Sequence, residues 1–289
     1  MSKISDSLNH KNIVCPFCSL HCDDLEIDVH DNKLYVKSNV PKSCAYKYEK
    51  LNLPKFKNMV TTVKGKPCEP KKAYQYSKQL IKKSKETVLL NSSSDVNVTR
   101  EVLSAASKVN AIVDHVNSSI FLKNISIYQR RGYMATSLTE IKNKSDVIIV
   151  FSNNLFETYP RLMDKFLATK NSFSVNSKKK EIYVIGNKKN NIKDCNIRDK
   201  RITYVDFNNR NITRLLNSFI SKKNESSIGN QVFNKLLTSI ETSKYLSVLW
   251  ATSEFDSYKE CDEIIYNISA YIVSLNKTSR AACLSLSGN

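Results

Sequence analysis

Glycine is nearly missing from this chain. Five residues of 289 are glycine, Gly65, Gly132, Gly186, Gly229 and Gly288, against an average usage of ~7%. A loop that cradles phosphate needs backbone amides that approach the ligand with no Cβ in the way. Neither GxGxxG nor GxxxxGK[ST] occurs, which argues against nucleotide binding by those devices. Long apolar runs are also missing: nothing approaches the ~18–20 residues of a membrane span. The opening MSKISDSLNHKN is too polar for a secretory signal. These absences predict a cytoplasmic protein with no membrane partner. In a reducing compartment, clustered cysteines are metal ligands or redox groups rather than disulfides.

Charge of one sign is in excess: 45 basic less 27 acidic residues gives +18. Such a surface can attract nucleic acid. The lysines, however, are spread along the whole chain among Asn and Ile, which reads as a compositional bias and not a placed patch. Lys178-Lys179-Lys180 reads as a solvated turn. No nucleic-acid partner is expected, and a basic zinc protein that binds nucleic acid stays as a lesser alternative.

The chemistry that is present sits near the N-terminus. CPFCSLHCDDLEI places Cys15, Cys18 and Cys22 within eight residues, and Cys44 follows after 21 more. Four thiolates can hold an iron–sulfur cluster, which favours several cysteines in one loop plus a distant fourth. They can also hold zinc, although zinc ligands usually come as two C-x2-C pairs, and His21 adjoins Cys22 without sharing its direction. A redox dithiol on Cys15 and Cys18 would leave Cys22 and Cys44 unexplained. An empty site of buried thiols is the fourth alternative. Cys68, Cys195, Cys261 and Cys283 stand singly and read as small buried residues.

Leu25–Val29 and Lys33–Lys37 alternate apolar and polar residues around Asp31-Asn32, which predicts a β-hairpin that turns the chain back toward Cys44. Residues 1–55 read as a small four-cysteine domain. Pro54, Gly65, Pro67 and Pro70 mark a linker over 55–72. The rest, 73–289, predicts an α/β body with a doubly wound, mostly parallel sheet. Its strands are expected at Thr87–Leu90, Ala111–Asp114, Asp146–Phe151, Glu181–Ile185, Ile202–Val205, Leu246–Trp250 and Ala282–Leu286. Helices are expected after Asp95, a candidate cap, and over Phe156–Ala168, Ile212–Ile220, Asn230–Ile240 and Glu260–Leu275. The chain stops directly after a strand, which predicts that its C-terminal part is incomplete.

VCPFCSLHCDD resembles the N-terminal signature of the B subunit of formylmethanofuran dehydrogenase, a molybdopterin-oxidoreductase family. The similarity extends through Lys42-Ser43-Cys44-Ala45, Asn110–Asp114, Gln129, Gly132-Tyr133, Glu140–Val150, Asn154 and Pro160-Arg161, to Ser287-Gly288-Asn289. The resemblance implies a 4Fe-4S cluster on Cys15, Cys18, Cys22 and Cys44. It also implies a Cys-His pair about six residues after the second strand, whose Cys binds molybdenum or tungsten. Those positions fall here on Ile120 and Phe121, hydrocarbons that cannot ligate a metal. No cysteine lies between Cys68 and Cys195, and His115 reads as a polar strand-end residue. That pattern is similar to the B subunit of the bacterial formyltransferase/hydrolase complex, which serves tetrahydromethanopterin-linked oxidation of formaldehyde to formate. It implies a scaffold subunit without molybdopterin or tungstopterin, working with the complex's other subunits. An active molybdenum or tungsten dehydrogenase subunit is the rival.

Overall fold

A computed structural model describes residues 8–31, 33–49, 60–91, 96–169, 180–187, 189, 200–225 and 227–286. The chain divides into two compact units. One comprises residues 1–47 and 119–288, so the cysteine segment shares it with the larger α/β body; the other comprises residues 48–118.

The expected hairpin forms from β2 (Leu25–His30) and β3 (Lys33–Val36), and a preceding strand, β1 (Leu8–Ile13), makes it a three-stranded antiparallel sheet. With only Leu8 and Ile13 apolar, β1 carries no alternation and is held by its ladder to β2. α1 (Lys42–Glu49) follows, with Cys44 in its first turn.

In the unit of residues 48–118, the proline-rich tract is not a plain linker. It holds the short hairpin β4 (Thr62–Val63) and β5 (Lys66–Pro67), and then α2 (Pro70–Lys83), which starts on a proline. Proline suits that first position because its missing amide has no helical partner there. β6 (Val88–Asn91), α3 (Val96–Val109) and β7 (Ile112–His115) then form one parallel β-α-β crossover. The candidate cap Asp95 lies outside the described residues.

The body starts with two helices that alternation did not reveal, α4 (Ser118–Arg131) and α5 (Leu138–Lys144). Ser137 caps α5 by accepting the Glu140 amide, which satisfies one of the helix's orphan donors. β8 (Val147–Phe151) is buried along its whole length, as its β-branched run requires between two helical layers. The helix expected over Phe156–Ala168 breaks. α6 (Leu155–Thr158) ends just before Pro160, and a π turn occupies Met163–Leu167, because a proline inside the run removes an amide and collides with the preceding turn. β9 (Glu181–Gly186), β10 (Ile202–Asp206), α7 (Ile212–Ser221), α8 (Asn230–Thr242), β11 (Tyr245–Ala251), α9 (Cys261–Leu275) and β12 (Arg280–Leu286) complete it.

The five strands run parallel in the order β10-β9-β8-β11-β12. This is a doubly wound sheet whose order reverses between β8 and β11, the kind of switch point beyond whose strand ends open α/β sheets bind ligands. Phe151, Tyr183, Trp250, Phe233 and Ile264 pack the core around it. Among the described residues, Gly186 is the one glycine the packing demands. Its φ is +147°, and a Cβ there would overlap the Ser152 carbonyl, so β8 and β9 meet closely at their carboxyl ends.

Lys180 corrects the expectation of a solvated lysine turn. It is 0% exposed, and its Nζ donates to the Lys142 carbonyl at 2.8 Å. Burial lowers its pKa to about 8, aided by Arg201 and Lys142. Lys178 and Lys179 lie outside the described residues.

Candidate metal centre

Cys15, Cys18 and Cys22 sit on the loop that joins β1 to β2. The Cys15 amide donates to the Cys22 carbonyl at 2.7 Å, and the His21 amide to the Cys18 carbonyl at 3.2 Å. His21 takes φ 45°, a left-handed turn that brings the third cysteine back beside the first. Leu20 and Leu25, 5% and 0% exposed, anchor the loop. Cys15 and Cys22 are buried and Cys18 and Cys44 half-buried, all four as thiols. Cys44 enters from the side, where the Pro41 carbonyl accepts the Cys44 and Ala45 amides to open α1.

Cys22 and Cys44 share electrostatic neighbours. Burial pushes the Cys22 thiol up to about 11; Arg161 opposes the rise, while Cys18, Cys15 and Asp24 add to it. Burial also raises Cys44, against Lys47 and Arg161 and with Cys18 and Cys15. Cys15, Cys18 and Arg161 are therefore each within charge reach of both Cys22 and Cys44. Among the described residues, no three His, Cys, Asp or Glu side chains are grouped as ligands of one ion. Neutral thiols have little to draw sulfur to sulfur, since metal coordination requires the deprotonated thiolates.

The loop is clamped to the body by charge. Arg161 donates from Nη1 to Asp24 Oδ1 at 2.8 Å and from Nη2 to Oδ2 at 2.7 Å, the planar two-bond match that guanidinium makes with carboxylate. Lys165 Nζ lies 2.9 Å from Asp24 and 3.6 Å from Asp23. Arg161 also stands 3.7 Å from Asp164, whose carboxyl burial pushes up. The Arg161 hydrogen bond holds the Asp24 carboxyl far below the usual carboxylate range, and Arg161 is correspondingly held in its charged form. Ser19 Oγ donates to the Tyr159 hydroxyl at 3.5 Å. Arg161 is thus the cation shared by Asp24, Cys22 and Cys44. Sequence reasoning singled out Asp23-Asp24 and Pro160-Arg161 separately; nothing in the sequence pairs residues 137 apart.

Beside Cys22 opens a cavity of about 500 Å³ lined by His21, Asp23, Thr139, Lys142, Lys165 and Phe166 among others. A second cavity, of about 570 Å³, lies at the carboxyl ends of β8, β9 and β10, lined by Asn153, Asn187, Asp206, Phe207, Asn208 and Ser227. At the reversal point itself, the Glu254 carboxylate accepts the amides of Asn153 at 2.6 Å and Asn154 at 3.0 Å, so the chain's own anion fills that pair of donors. Burial raises the Glu254 pKa against those two hydrogen bonds.

The remaining candidates separate from this cluster. Ile120 and Phe121 stand in the first turn of α4, and Phe121 is 53% exposed. His115 ends β7, its Nδ1 accepting the Asn117 amide at 3.1 Å. Cys261 and Cys283 are buried thiols, 1% and 0% exposed, pushed by burial to about 11 and about 12. Cys68 is half-buried, and Cys195 lies outside the described residues. No helix among the described residues is long and apolar enough to cross a membrane.

No protein-family model matches the chain. It is 26% identical over 162 residues to the B subunit of the tungsten-containing formylmethanofuran dehydrogenase 2 of Methanococcus maripaludis, and 27% over 167 residues to that of Methanocaldococcus jannaschii. Each match covers 54% of this chain and 37% of the relative, so the chain spans little more than a third of the length of these curated relatives. Its fold matches a chain of the formyltransferase/hydrolase complex of Methylorubrum extorquens, solved with methylofuran. That match has a TM-score of 0.59 and 17% identity, and covers 78% of this chain and 59% of the other.

Proposed function

Because the chain is a relative of the B subunit of formylmethanofuran dehydrogenase, we propose that it is a B-type subunit of a formyl-handling complex in one-carbon metabolism. In this reading it works beside formyltransferase and hydrolase subunits in tetrahydromethanopterin-linked oxidation of formaldehyde to formate. Transfer and hydrolysis of the formyl group reside on those other chains.

The observation that carries the reading is the cysteine loop on its cationic seat. Cys15, Cys18, Cys22 and Cys44 would hold a 4Fe-4S cluster, which supplies one-electron transfer when bound. Four thiolates concentrate negative charge, and Arg161 and Lys47 are the cations within reach of them. The Asp24 clamp fixes Arg161 there whether or not the thiols are ionised. Three cysteines in one loop with a distant fourth favour a cluster over a mixed zinc site.

The scaffold role rests on Ile120. A side chain with no lone pair cannot bind tungsten or molybdenum, and Phe121 gives no substitute. The sequence match to tungsten-containing enzymes supports the rival, an active dehydrogenase subunit. Metal and sulfide analysis of the anaerobically purified complex separates the two. The expected result is about four iron and four sulfide per chain, no molybdenum or tungsten, and loss of the iron in a Cys22→Ser variant. Stoichiometric tungsten would overturn the scaffold role. Purification with no formyltransferase or hydrolase subunit would overturn the reading as a whole.

A further inference from the structure

Three helices of the α/β body end around one cavity. It holds about 430 Å³, within the range of ligand sites. α7 closes at Ser221, α8 at Thr242 and α9 at Leu275. α8 and α9 lead directly into β11 and β12, so the cavity lies at the amino ends of those strands, away from the switch point. Much of its wall is apolar and aromatic. Phe219 and Tyr271 are buried, their ring centroids 6.0 Å apart and their planes tilted by 38°, and Leu237 and Leu275 line the cavity with them. Its polarity favours one sign of charge. A helix ends in carbonyls and carries partial negative charge there, which cations stabilise. None of these three helices has a basic residue in its last turn, in a chain with 45 basic residues. Glu241, in the last turn of α8, adds a full negative charge. Burial and then Glu241 raise the pKa of the Tyr271 hydroxyl, so that hydroxyl and the carboxylate lie within charge reach of each other. A cation already answers from the rim: Lys222, one residue past α7, reaches Glu241 at 2.6 Å. The two side chains are 70% and 44% exposed, and an ion pair so open to water is weak and readily exchanged.

We infer that this cavity binds a small organic cation, an ammonium group on an apolar stem. The stem fills the space along Phe219, Leu237 and Leu275. The head displaces Lys222 from Glu241 and sits among the helix ends beside the aromatic pair, the kind of surrounding in which proteins recognise ammonium ions. A neutral molecule of the same shape gains nothing from Glu241, and an anion is repelled by it. The inference goes beyond the proposed function and is independent of what the cysteines hold.

The test is a calorimetric titration of the purified protein with benzyltrimethylammonium at ~0.15 M salt, with benzyl alcohol and benzoate as the neutral and anionic comparisons. The ammonium should bind about tenfold tighter than the alcohol, and benzoate should give no binding heat. Glu241→Gln should weaken ammonium binding about tenfold, whereas Lys222→Gln, which removes the competing cation, should tighten it about threefold. Both variants break the same ion pair, so a merely structural effect would move them in the same direction. Trp250, the single tryptophan, is buried in β11, and its unchanged fluorescence shows that the variants keep the body folded. Absence of ammonium binding, comparable binding of either comparison molecule, or two variants that shift together or not at all overturns the inference.

Discussion

Consider replacing Asp24 by Asn, Arg161 by Met, and both together. The pair is two parallel charged hydrogen bonds at 2.8 and 2.7 Å, and its two ends differ in burial: the Arg161 side chain is 11% exposed, that of Asp24 42%. An exposed pair contributes ~0–1 kcal/mol, and breaking a buried one costs ~3–5 kcal/mol. Hydrogen bonds to charged groups, at ~1.5–3 kcal/mol each, bracket the intermediate case. Each single variant should therefore lose about 2–3 kcal/mol. The double variant should lose about 1.5–3 kcal/mol less than their sum, since neither then strands a charge. Urea unfolding read by Trp250 fluorescence measures all four species. The sign with pH follows from Asp24, whose folded pKa is depressed. Its contribution is complete above the ordinary carboxylate pKa near 3.8 and disappears as pH falls below it, so wild type and Asp24→Asn should converge in acid. A coupling below about 0.5 kcal/mol, or a gap that persists unchanged in acid, would refute the clamp.

Two further outcomes follow from the body. Lys180 has a folded pKa of about 8 against 10.5 in the unfolded chain; between these values the unfolded state holds the extra proton, so wild-type stability rises with pH through that window. Lys180→Met should abolish this slope and stabilise the protein at neutral pH by up to roughly 3 kcal/mol, at ~1.4 kcal/mol per pKa unit, measured by denaturant titration at several pH values. Gly186→Ala forces a Cβ into the Ser152 carbonyl at a φ that alanine rarely adopts; a loss of more than about 3 kcal/mol is expected, seen as insoluble expression or a melting temperature lowered by several degrees.

The strands of the body were legible because β8, β9 and β11 are buried on both faces, and only uninterrupted apolar runs such as Val147–Phe151 survive there. The cysteine loop was legible because thiol spacing is a local signal. What escaped was set by tertiary contact. β1 has too few apolar residues to show a period and exists by pairing with β2. α2 hides behind prolines that read as loop, although Pro70 is its first residue. α4 scatters β-branched residues among polar ones, and its burial is confined to Asn124 and Ile127, one of which is not apolar. Lys180 read as solvated because its neighbours in sequence are lysines, while its neighbour in space is a carbonyl of α5. The cysteine site was half visible for the same reason. Its thiols are a pattern, but its seat is a contact.

That contact has a consequence in time. Asp24 and Arg161 are separated by 137 residues, and translation adds ~5–20 residues each second. The thiols of Cys15, Cys18 and Cys22 therefore leave the ribosome roughly 7 to 27 seconds before the arginine that secures them. During that interval the loop is a set of reduced cysteines on an unanchored hairpin, open to oxidants and to stray metal. The clamp cannot close until β8 has formed and Arg161 has followed it into place, so the anchoring of the N-terminal loop is governed by the folding of the middle of the chain.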